Sequence, residues 1–205
     1  MGLEPLALDA QGEMDCRDIF DAPEHGDLYL PLWRELTRRP RRVFEFHRIA
    51  WSGRRADEQG EAGDCPVLGA IEMKEIGDVR SARALLMAEL HDDLRYLDAH
   101  AHLGNLELDR APEKALAHYE VAVRIGDLSL PEDDDFFLPW GCLMNRPYHR
   151  ALHGYGLALY KLGRRAEAEA VFLRQLVLNP PDHVGARYAL FALRDGLSWA
   201  EGNAT

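Results

Sequence analysis

From residue 78 to the end of this 205-residue chain, nearly every window repeats apolar residues at a spacing close to 3.6, which dictates amphipathic helices packed on one another. Six stripes follow in order. Ala82, Leu85, Leu86 and Leu90 make the first, Leu97, Ala101, Leu103, Gly104 and Leu108 the second, and Ala115, Tyr119, Ala122 and Val123 the third. Leu152, Tyr155, Leu159 and Leu162 line the fourth, Ala168, Val171, Phe172 and Leu176 the fifth, and Val184, Tyr188, Phe191 and Leu197 the sixth. Gly163 falls where the fourth should close, and Asn179, Pro180, Pro181 and Asp182 divide the fifth from the sixth, with Asp182 as the N-cap.

The first 77 residues lack this rhythm. Pro5, Gly12, Pro23 and Gly26 interrupt residues 1–27, which read as an extended or poorly ordered lead-in. Residues 28–77 form a segment of uncertain fold. Leu32, Trp33 and Leu36 suit a short helix near Pro31, residues 43–51 suit either a strand or a helix, and 52–64 read as a loop.

The repeat dominates the helical part. Residues 149–182 span 34 positions, with a small residue at Gly156, a turn glycine at Gly163, Ala168 at a second close approach, Phe172 as an aromatic plug and Pro180 as terminator. This arrangement resembles the tetratricopeptide repeat (TPR) at five signature positions and departs from it at Leu152 and Gln175. A second copy over 97–127 matches through Leu103, Gly104, Ala115, Tyr119 and Ala122, with its turn at Arg110, Ala111 and Pro112 one residue short. Ala82 and Leu86 fall at the equivalent places of a preceding second helix. The resemblance implies an all-α fold of stacked helix hairpins over 78–205: about two and a half repeats, a closing helix and an inserted loop at 128–148, preceded by an irregular, partly β segment.

In that insertion acidic and aromatic residues adjoin. Leu138-Pro139-Trp140-Gly141, Asn145-Arg146-Pro147-Tyr148 and Ala151-Leu152-His153-Gly154 resemble a subgroup of bacterial TPR proteins of poorly defined role. Phe136, Phe137 and Trp140 either cap the core between repeats or form an aromatic lip that receives a partner. By the same resemblance, a ligand would sit in the concave groove lined by the first helix of each pair. Its residues here would be Asp98, Ala101, Asn105, Leu108 and Asp109 from one repeat and Arg150, His153, Leu157, Tyr160 and Lys161 from the next, with Trp140 beside them. The subtype that clamps a peptide carboxylate is not expected, because Asp98 and Asp109 oppose an anion.

Other chemistry finds little footing. His100 and His102 are two apart and leave a helix in different directions, while His149 and His153 share a face but have Arg150 after the first of them where a metalloprotease motif needs a glutamate, so no metal site is expected. None of Ser52, Ser81, Ser129 and Ser198 stands in a nucleophile motif, and no phosphate-binding loop or cofactor motif occurs, so an enzyme is not expected. Glu132 to Asp135 lack the glycine and distal glutamate of a calcium loop. Cys16, Cys65 and Cys142 are too dispersed for a disulfide framework, and no apolar run could span a bilayer, which points to a reducing cytoplasm and no membrane partner. The net charge of −11 is uneven: eight arginines between Arg34 and Arg55 give that corner +6 and leave −17 elsewhere. The expected function is a non-enzymatic module that binds a protein or peptide, with no cofactor. The alternative is a regulatory or nucleic-acid-associated role for the arginine corner, which the overall negative charge disfavours.

Overall fold

A computed structural model describes residues 4–47, 66–133 and 135–202. The described chain is mostly helical, with a small three-stranded sheet. In chain order the elements are β1 (Leu8–Met14), α1 (Cys16–Ile19), α2 (Leu30–Leu36), β2 (Arg41–Phe46), α3 (Pro66–Glu75), α4 (Val79–Asp92), α5 (Leu97–Glu107) and α6 (Pro112–Asp127), then β3 (Phe136–Phe137), α7 (Arg146–Lys161), α8 (Arg165–Leu178), α9 (Ala186–Arg194) and α10 (Trp199–Gly202). Short turns join α3 to α4, α5 to α6 and α7 to α8, and each pair packs as a hairpin; α5 and α7 also lie against one another. The first hairpin straddles residue 78, because α3 packs on α4 through Val67 and Ala70, so the division placed there on periodicity cuts a folded unit.

The hairpins close where glycine meets an aromatic ring. A Cβ on Gly104 or on Gly154 would stand 2.4 or 2.2 Å from Cε1 of Tyr119, and one on Gly156 would stand 2.6 Å from Cε1 of Phe172. Hydrogen at those positions lets α5 and α7 approach the plugs carried by α6 and α8. Ala115 and Ala168, four residues before each plug, are fully buried. Gly163 ends α7 at a φ of +75°, a left-handed conformation that glycine adopts without strain. The N-cap of α9 is Gly185, at a φ of +82°, rather than Asp182, whose carboxylate three residues earlier accepts hydrogen bonds from the Ala186 and Arg187 amides and so satisfies the start of the helix. The sixth stripe is rotated from its expected phase. The helix begins only at Ala186 and buries Ala186, Leu190 and Leu193, leaving Tyr188 66% exposed.

The part of the expected lead-in that is described, residues 4–27, holds a strand and a short helix. β1 runs antiparallel to β2, pairing Leu8 with Phe46 and Met14 with Arg41, with an irregularity between Ala10 and Glu13 where Gly12 takes a φ of +91°. The segment left open between strand and helix is a strand through Phe46; residues 48–51 lie outside the described residues, as does the loop read over 52–64. β3 comes from the insertion and pairs parallel to β2, Arg42 opposite Phe136. Phe136, Phe137 and Leu138 are fully buried, so this part of the insertion caps the core. Asn145 ties the two together: its side-chain oxygen accepts from the Phe46 amide and its side-chain NH2 donates to Phe44 and Pro139 carbonyls.

Arg41 is the unexpected core residue. Only 8% exposed, its guanidinium stacks 3.8 Å over Phe137 and donates to the carbonyls of Phe136, Leu36 and Val177, the last two at the C-terminal ends of α2 and α8. A cation suits both helix ends. Burial pushes its pKa down to about 10, so it stays charged at neutral pH. Arg41→Ala should lower unfolding stability by about 3 kcal/mol, because three carbonyls lose charge-assisted donors in a site water does not freely enter. Arg41→Lys should recover only part, since an ammonium lacks the planar fork. Urea denaturation midpoints measure both; a loss below about 1 kcal/mol for Arg41→Ala would contradict this role.

Candidate functional site

The residues expected to line a groove divide into two groups. The charged ones are tied to one another across α5 and α7. Arg150 forms a two-pronged ion pair with Asp98 at 2.8 and 2.7 Å, with Asp98 only 3% exposed, and Lys161 meets Asp109 at 2.9 Å. These four side chains are interhelical ties rather than a free row of contacts. Asn105 accepts a 2.7 Å hydrogen bond from the Tyr119 hydroxyl, Ala101 is fully buried and Leu108 packs against the core. The resemblance gave their positions but not their partners, because which charges pair depends on how two helices align.

His153, Leu157 and Tyr160 do come together. They line a cavity of about 200 Å³ whose far wall is Tyr188 and Ala189 of α9 and Trp199 of α10. α7 places its three at positions one turn apart, which brings them to one face. His153 packs 5.7 Å from the Phe172 ring, and burial drives its imidazole pKa down to about 4, so it stands neutral. Tyr160 is 4% exposed and donates to the Leu197 carbonyl at 2.8 Å, with Ser198 O at 3.1 Å. Trp199 meets the Tyr160 ring edge-on at 5.7 Å, beneath the Lys161 ammonium. Beside this cavity lies another of about 310 Å³, lined by Leu28, Tyr188, Phe191 and Leu197 among others. Such a surface offers an apolar floor with hydroxyl and imidazole groups, suited to receiving aromatic or aliphatic side chains.

Sequence reasoning missed Tyr188 and Trp199 as parts of this wall. The available signal for the second was the pairing of Ser198 with Glu201, the spacing of a capping box: the Glu201 carboxylate accepts from both the Ser198 amide and hydroxyl. Trp140 stands elsewhere. It stacks on His183 at 6.2 Å and 9°, with Arg146 5.2 Å over its face, and its backbone amide donates to Asn179. The half-buried Trp140 is therefore a stacked surface residue of the insertion rather than a wall of this cavity.

The arginine corner and the acidic insertion meet. Arg39 pairs with Asp135 and Arg42 with Asp133, while Arg41 is buried. Arg34 and Arg38 are exposed, and Arg48, Arg54 and Arg55 lie outside the described residues. Among the described residues no group of three or more His, Cys, Asp or Glu side chains is placed to hold a metal ion, and no helix is long and apolar enough to cross a membrane. Compared with known proteins, the chain matches no family model, no curated protein and no solved structure.

Proposed function

We propose that this chain is a TPR-type helical array whose function is to bind a peptide or protein segment, without catalysis, in the groove between α7 and α9. The cavity carries the reading: His153, Leu157 and Tyr160, all assigned to the groove by resemblance, face Tyr188 and Ala189 of α9 across it. Three further regularities support a true repeat. Asp98 and Arg150, Gly104 and Gly156, and Asp109 and Lys161 all stand 52 positions apart, and the outer two pairs are in direct contact. The offset of 52 between the two plug-facing glycines exceeds one 34-residue unit by 18, as duplicated units interrupted by an insertion would leave.

Because Arg150 and Lys161 are already neutralised, the ligand is selected by apolar anchors rather than by its charge. The arginine corner is a weaker binding surface on the same grounds, since its contacts to Asp133 and Asp135 must be given up before phosphates are engaged.

A random peptide library panned against the full chain tests this. Peptides with a large aromatic or aliphatic residue should be enriched, and Leu157→Arg, which puts a charge on the cavity floor, should reduce their retention at least tenfold while leaving helicity unchanged by circular dichroism. No enrichment, or retention unaffected by Leu157→Arg, would overturn the assignment.

A further inference from the structure

We propose that the segment from Leu197 to Gly202 is a built-in occupant of this groove, a tethered stand-in that a partner peptide must displace. The inference rests on the groove reading above and names how that site is regulated and what it accepts.

Four observations carry it. The Tyr160 hydroxyl holds the Leu197 carbonyl and faces that of Ser198, while the Arg165 guanidinium donates to the Leu197 carbonyl at 2.6 Å, so the segment is gripped through main-chain oxygens in a way any sequence could reproduce. Its aromatic side chain, Trp199, meets the Tyr160 ring edge-on. The turn carries its own capping box, and none of the residues of α10 is fully buried, Trp199 being partly buried against the core. It also stands between the two cavities, which share Tyr188 and Gly202 in their walls, so lifting it joins them into one longer groove.

A one-turn helix held by few contacts opens readily, yet its tether gives it a high effective concentration against a free competitor. The matching ligand is a short segment that offers two adjacent carbonyls followed by an aromatic residue, as Leu197, Ser198 and Trp199 do. It enters by replacing Trp199 against Tyr160.

The full chain can be locked and released for a test. A Cβ on Gly202 would lie 3.2 Å from that of Ala192, a few tenths of an ångström inside the spacing of a disulfide, and 2.9 Å from the Tyr160 hydroxyl, so after a small shift Ala192→Cys with Gly202→Cys should fasten the segment shut when oxidised, with Gly202→Ala as the control for the shift itself. Phage displaying random 12-residue peptides are panned against oxidised and reduced forms of this double variant, with the wild type carried through both treatments, and separately against Trp199→Ala. The oxidised form should retain no more than about a tenth of the phage held by the reduced form, and Trp199→Ala about tenfold more than the wild type. Equal retention by all forms would overturn the tethered occupant while leaving the groove reading standing. No retention by any form, including Trp199→Ala, would overturn both.

Discussion

Gly154→Ala is expected to destabilise the protein by roughly 2–4 kcal/mol, although alanine is the better helix former by about 1 kcal/mol. The added methyl would lie 2.2 Å from Tyr119 Cε1, with Cζ at 2.4 Å, and the ring has little room to retreat: Gly104 faces the same atoms from α5, and the hydroxyl is bonded to Asn105. Trimming the plug relieves the clash. Tyr119→Leu in the Gly154→Ala background should therefore cost much less than the two single losses added together, a coupling that a double-mutant cycle reads directly. Gly141→Ala is the matched control, since a Cβ there meets nothing within 4 Å, and it should shift stability by less than about 0.5 kcal/mol. Additive losses at 154 and 119, or a neutral Gly154→Ala, would contradict the close approach of α6 and α7.

Acid should begin to destabilise the protein before its carboxylates are protonated. Burial holds His100, His149 and His153 neutral, each with its pKa pushed down to about 4 from an ordinary 6.5. His100 and His149 place Nε2 at 3.0 and 2.6 Å from the Leu94 and Leu138 carbonyls, contacts in which the neutral ring donates. The unfolded chain takes up protons as pH falls through 6.5, whereas the folded chain does not until about 4. The stability these groups contribute is thus complete above pH 7 and lost progressively between 6.5 and 4. Between pH 7 and 5 the loss should be roughly 1–2 kcal/mol per histidine, several kcal/mol together. Urea denaturation at pH 7, 6 and 5 measures the total, and ring-proton NMR titrations should show all three imidazoles still neutral at pH 5. A flat stability profile, or rings that titrate near 6.5, would contradict their burial.

The later helices were legible because each carries its own period: Ala82, Leu86 and Leu90 or Ala168, Phe172 and Leu176 announce a buried face without reference to a partner. The plugs were legible for the same reason. The sheet was not, since β3 is two residues long and finds its partner more than 90 positions earlier. Arg41 was hidden by its neighbours. In a run of arginines nothing marks one as buried, but in a strand the faces alternate, so Arg41 and Val43 turn inward while Arg42 turns out to Asp133. Of the residues that the resemblance assigned to a groove, His153, Leu157 and Tyr160 line one cavity, whereas the pairing of Arg150 with Asp98 depends on the alignment of two helices and the position of Trp199 on a turn after α9. The sixth stripe failed because few of its apolar residues are buried: Tyr188 is 66% exposed, and Phe191 packs only partly buried against the core beside a cavity.

The central claim is that ligands enter between α7 and α9. An isotope-labelled sample of the full chain, titrated with a peptide recovered from the library and followed by methyl and amide NMR, tests it most directly. Saturable shifts at the Leu157 and Ala189 methyls and the Tyr188 amide, with the amides of Arg38, Arg39 and Arg42 unmoved, are the expected result. Shifts confined to that arginine corner, with Leu157 and Ala189 silent at saturation, would contradict it.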